Sequence, residues 1–170
     1  MKDEHMTHET TPAPSVPGTL ILGLGNPLRG DDGVGVHLAQ SLAQQTLPDD
    51  IEVVDGGTQG LGLIPLLEGR QRVILVDAAD IGRTPGEFRR FTLQEAVLAG
   101  DDRHIAIHAA GLKDALLLAT TLKILPNQVV IFGVQPATMD WNSALSPLVE
   151  AALPDLMAAV LTELTTRNQE

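Results

Sequence analysis

Apolar residues in this chain come in short, solid runs separated by turns rich in Gly, Pro and Asp. Residues 19–24 (TLILGL) form the first run and break at Gly25-Asn26-Pro27, as a strand buried on both faces would. Over 32–45 the period changes: Val34, Leu38 and Leu42 recur at i, i+4 and i+8, which predicts a helix with Asp31 or Asp32 placed to cap its start. IEVV at 51–54 reads as a second strand ending at Asp55-Gly56-Gly57, followed by a short helical stretch over 61–67. VILV at 73–76 is a third strand, ending at Asp77.

In the second half, Phe88 and Phe91 alternate imperfectly among charges between 82 and 92, which predicts an edge strand, antiparallel to the rest. Leu112, Leu116 and Ala119 give a helix over 111–123, and VVIFGV at 129–134 is another buried strand. Ser146-Pro147 starts a last helix over 148–164, with a kink expected at Pro154. Short buried strands alternating with amphipathic helices predict an α/β fold: a single-domain three-layer sandwich whose mostly parallel, mixed and twisted sheet carries helices on both faces.

Composition narrows the function classes. The 170 residues suit one domain, and 44% hydrophobic against 19% charged residues suffices for a core. Residues 1–18, rich in Pro, Thr and charge, read as a disordered leader before a domain at 19–170. The net charge of −11 disfavours nucleic acid, since an acidic surface repels a phosphate backbone. With no cysteine, any metal must be held by His and carboxylates. Neither a secretory signal nor an apolar run of membrane length is evident, which predicts a cytoplasmic protein without membrane contact.

In an open α/β sheet, ligands bind beyond the carboxyl ends of the strands, and here those loops are acidic. Gly25 and Gly30 have the G-x-x-x-x-G spacing of a phosphate loop, but Asp31 and Asp32 stand where that loop needs Lys and Ser or Thr. Carboxylates there repel an anion and suit a cation, or simply cap the helix. Asp77 reads either as a turn residue or as a second ligand. Among the histidines, His5 and His8 lie in the leader, and His37 sits roughly 140° around the helix from Asp32. His104 and His108 precede the helix at 111. Asp32, Asp77 and His108 together would make an oxygen- and nitrogen-rich site suited to Zn²⁺ or Ni²⁺.

The segments LGLGNPLRGDDGVGV, EVVDGGTQGLGLI, VILVDAADIGRTPGEF, IHAAGLKDAL, VVIFGVQP and LSPLVEAAL, in that order, resemble the hydrogenase maturation endopeptidases. That resemblance implies an aspartate-dependent protease that trims a short C-terminal peptide from the large-subunit precursor of a nickel–iron hydrogenase. It implies metal contact through Asp32, Asp77 and His108, with Asp32 or Asp77 as base. It also implies substrate binding by the loop Asp55, Gly56, Gly57 and Thr58. Nickel would arrive with the precursor, and Zn²⁺ or another divalent ion could occupy the site in vitro. Ala109 departs from the family, where a polar residue is frequent after the histidine.

Two other readings compete. GLGNP also ends the first strand of peptidyl-tRNA hydrolases, but the Arg-His-Asn stretch that follows there is replaced here by Arg29-Gly30-Asp31-Asp32. The second is a non-catalytic metal- or nucleotide-sensing module on the same fold.

Overall fold

The computed structural model describes residues 16–98, 106–107 and 111–166. Its strands are β1 (Thr19–Leu24), β2 (Ile51–Gly57), β3 (Arg72–Asp80), β4 (Phe88–Thr92), β5 (Ala106–Ile107) and β6 (Gln128–Val134). Its α-helices are α1 (Val34–Leu42), α2 (Ile64–Leu67), α3 (Leu112–Thr121) and α4 (Pro147–Thr165). The sheet runs β2-β1-β3-β6-β4, with β5 pairing β3 off that path. β2, β1, β3 and β6 are parallel, while β4 closes one edge antiparallel to β6. The mixed sheet and the edge strand are those the patterning predicts.

Side chains alternate between two cores, as the period of a strand requires. Leu20, Leu22, Val73, Leu75, Val129 and Ile131 pack with Leu63, Leu67, Leu112 and Leu116 on one face. Ile21, Ile74, Val76, Val130 and Phe132 pack with Val34, Leu38, Leu42, Val149 and Leu156 on the other. Each such buried side chain contributes about 1.5–3 kcal/mol relative to exposure, so burial on both faces explains why β1, β3 and β6 read as solid apolar runs.

Several boundaries differ from the sequence reading. β3 extends to Asp80 because β6 and β5 both supply partners beyond Val76, so Asp77 lies inside the strand, not after it. β2 continues through Asp55-Gly56-Gly57 because Leu24 of β1 pairs with Gly57. α1 begins at Val34, after a 3-10 turn at Gly30–Gly33, and no side chain caps it. α4 is one continuous helix with Pro154 inside it.

Candidate functional site

The chain passes from β1 to β2 on one side of the sheet and then places β3 on the other side of β1. The carboxyl ends of β1 and β3 therefore form the topological switch point, where the diverging connections leave a crevice. Asp32 follows β1, and Asp77 lies near the end of β3, one residue beyond the Gly23–Val76 pair.

The loop after β1 is drawn tightly over the strand ends. A Cβ on Gly35 would lie 2.2 Å from the Val76 carbonyl oxygen and 2.5 Å from that of Leu24, so only glycine lets α1 approach so closely. Gly25 has φ +114°, and a Cβ there would lie 1.6 Å from the carbonyl oxygen of Asp32. These contacts fold the 25–35 segment back on itself and fix Asp32 at the mouth of the sheet.

The two neighbouring aspartates do different work. Asp31, wholly buried, accepts hydrogen bonds through Oδ2 from the backbone N–H groups of Ala137 (2.8 Å) and Thr138 (3.2 Å) and from the Ser146 hydroxyl (2.8 Å). Its Oδ1 accepts from the Ser146 backbone N–H at 2.7 Å. Asp31 thus ties the loop after β1 to the segment between β6 and α4. Asp32, 7% exposed, accepts the Asn26 backbone N–H on Oδ2 at 3.0 Å, and no second donor among the described residues engages it. The expectation that one of the pair caps α1 is overturned, because both carboxylates are taken by donors elsewhere. Asp32, engaged by one donor, retains acceptor capacity, as a base or a metal ligand needs.

Asp77 is fully buried, with its backbone in register with Gly133 of β6. By strand alternation it projects toward the face covered by α3. His108 and His104 lie outside the described residues, among which no group of three His, Cys, Asp or Glu side chains could hold a metal ion. Ile107 pairs with Ala79, two residues after Asp77, and Gly111 packs against Gly60 just beyond the Asp55–Thr58 loop.

That loop is joined directly to the site. The Gly25 N–H donates to the Gly57 carbonyl at 2.9 Å, and the exposed Asp55 steadies its own turn by accepting the Gly57 N–H at 3.0 Å. Gly56 is buried against Leu22 and Leu24, and Thr58 is exposed at the rim. His37 lies on α1 as expected; its Nε2 is buried and finds no hydrogen-bond partner among the described residues.

Sequence reasoning did not find the clasp between Asp31 and Ser146, since 115 residues separate them and no local pattern links them. It also missed Asn26 as the donor to Asp32. The glycine at 25, which forces the chain back toward 32, was the available signal.

Comparisons with known proteins agree with this architecture. Residues 36–163 match the family model described as hydrogenase maturation protease. The hydrogenase expression/formation protein HupM of Azotobacter chroococcum mcd 1 is 34% identical over 156 residues, 91% of this chain and 75% of that protein. The hydrogenase 2 maturation protease of Escherichia coli K12 is 32% identical over 152 residues, 89% of this chain and 93% of that protein. The solved structure of the hydrogenase maturating endopeptidase HybD from Escherichia coli superposes with a TM-score of 0.78 at 31% identity, covering 87% of this chain and 92% of that one.

Proposed function

The chain belongs to the hydrogenase maturation protease family, and on that footing we propose that it removes a short C-terminal peptide from the nickel-loaded large-subunit precursor of a nickel–iron hydrogenase. It is a hydrolase, an endopeptidase of hydrogenase maturation. The family match favours this reading over the peptidyl-tRNA hydrolase one.

The observation that carries the proposal is the Asp32 carboxylate, fixed by the Asn26 N–H at the β1–β3 switch point, with Asp77 inside the neighbouring strand β3, one residue beyond its last pair with β1. In this reading Asp32 takes a proton from the attacking water while the new C–O bond forms at the scissile carbonyl. The proton then passes to the departing amide nitrogen as the C–N bond breaks. The crevice holds the extended tail of the precursor, with Asp55, Gly56, Gly57 and Thr58 lining its β2 side.

Nickel belongs to the substrate in this scheme. Two aspartate carboxylates and an imidazole form a donor set that suits Ni²⁺ or Zn²⁺, so Asp32, Asp77 and His108 would contact the ion that the precursor carries. Bound there, it would polarise a nearby carbonyl or water. No helix among the described residues is long and apolar enough to cross a membrane, and we place the reaction in the cytoplasm, where the precursor is made.

Incubation with nickel-loaded precursor, followed by intact mass measurement, tests the proposal. Loss of a C-terminal peptide by the wild type, and its absence with Asp32→Asn, is the expected pair of results. A chain that binds precursor without shortening it is the non-catalytic module instead.

A further inference from the structure

The loop that carries Asp32 also displays apolar surface that the fold does not use. Trp141, the sole tryptophan, is 77% exposed, and Leu28 is 58% exposed. The backbone beneath them is firmly held. The Asn142 N–H donates to the Leu28 carbonyl at 3.0 Å, the Gly30 N–H donates to the Asn142 carbonyl at 2.6 Å, and Arg29 and Asn142 form a parallel bridge. That register sets Leu28 beside Trp141. The Arg29 guanidinium stands 5.7 Å from the centre of the indole ring and donates through Nε to the Met139 carbonyl at 3.2 Å.

A large aromatic held on a fixed backbone but left in water contributes nothing to the core and marks a surface that gains by being covered. Tryptophan and arginine together are the residue types that dominate binding energy in protein interfaces. Arg29 is exposed and makes no ion pair among the described residues, in a chain whose net charge is −11. This patch is continuous with the candidate site, because the Arg29 carbonyl accepts the Asp32 N–H at 3.1 Å. A protein whose tail reaches Asp32 would therefore bring its own surface close to Arg29.

We infer that Leu28, Arg29 and Trp141 form the docking platform for the precursor protein, an apolar side chain of which covers the indole while a neighbouring carboxylate pairs with Arg29. The inference rests on the reading of this chain as an endopeptidase acting on a protein substrate. It assigns these residues to affinity for the precursor, while bond cleavage remains with the carboxylates.

The sole tryptophan provides the probe. Enzyme labelled with 5-fluorotryptophan and carrying Asp32→Asn gives one fluorine resonance, which should shift or broaden when unlabelled precursor is added. In cleavage assays with otherwise wild-type enzyme, Trp141→Ala should raise KM about tenfold or more with kcat within about twofold, as loss of an interface anchor does. Leu122→Ala, an exposed leucine beyond α3, should change neither. If the wild type cleaves but Trp141→Ala keeps its normal KM, the platform is wrong and the endopeptidase reading stands. If the wild type neither binds nor cleaves precursor, that reading falls and the platform with it. A resonance that moves with enzyme concentration alone, alongside a dimer in sedimentation, would assign the patch to self-association and overturn the inference.

Discussion

Asp31 accepts both hydrogen bonds that Ser146 can offer, the backbone N–H at 2.7 Å and the hydroxyl at 2.8 Å. Together with the N–H groups of Ala137 and Thr138, these close the loop after β1 onto the loop after β6. The next residue, Asp32, accepts only the Asn26 N–H among the described residues and keeps acceptor capacity free. Buried donors that lose a charged acceptor cost far more than a surface contact, so the two aspartates differ in what their removal does.

Asp31→Ala would strand the N–H groups of Ala137, Thr138 and Ser146 at about 1–3 kcal/mol each wherever water cannot replace the carboxylate. The expected total is about 3–5 kcal/mol, or a fall in Tm of roughly 10 °C for a domain of this size. Thermal denaturation followed by circular dichroism measures it. A change under about 1 kcal/mol would mean the clasp is dispensable.

Asp32→Asn should behave in the opposite way. The amide oxygen can still accept the Asn26 N–H, so stability should change by under about 1 kcal/mol. The anion is lost, so precursor cleavage should drop by about 100-fold or more. Normal turnover by a folded Asn variant would remove Asp32 from the mechanism.

How far the site was legible in the sequence follows from how local each feature is. The cores of β1, β3 and β6 were plain because burial on both faces leaves a solid apolar run, and α1 was plain from the spacing of Val34, Leu38 and Leu42. The ends were not, because they depend on partners. β3 reaches Asp80 through pairing with β6 and with the two-residue β5, too short to show a period. Asp31 looked like a helix cap because its true donors sit over a hundred residues away. That the loop carrying Asp32 follows a strand adjacent to the one holding Asp77 is a matter of strand order, which periodicity does not encode.

Gly25→Ala should damage the site through backbone geometry. Its φ of +114° lies where L side chains rarely go, and the new Cβ would meet the Asp32 carbonyl oxygen at 1.6 Å. Either the loop moves and Asp32 loses its bond to Asn26, or the chain fails to fold. Cleavage should fall at least as far as with Asp32→Asn, and stability should fall with it. An active, stable Gly25→Ala enzyme would show that the loop is not held in this form.

At the opposite end of the sheet, Glu163 of α4 pairs with Arg72 and accepts bonds from Arg90 at 2.8 and 3.0 Å. Arg72 is nearly buried, and among the described residues its Nε and Nη1 find no hydrogen-bond partner and Glu163 is its counter-charge. The hydrogen bond from Arg90 holds the Glu163 carboxyl below its ordinary value of 4.5 against the opposing effect of burial, with the charges of Arg90 and Arg72 acting in the same lowering sense. A carboxyl whose pKa is lower folded than unfolded adds stability above its unfolded pKa and loses that stability as pH falls through the folded one. Wild-type stability should therefore hold level from about pH 7 to 5 as far as this group is concerned, then decline below about 4.5. Glu163→Gln leaves a buried guanidinium without its anion, which costs up to about 3–5 kcal/mol at neutral pH. Its deficit against the wild type should narrow as the medium is acidified. Urea unfolding of both proteins between about pH 3.5 and 7 reads this directly. Parallel stability curves over that range would show that Glu163 is not titrating as a partner of Arg72 and Arg90. Precursor cleavage at neutral pH should survive in whatever fraction remains folded, because Arg72 begins β3 and Asp77 lies toward its other end.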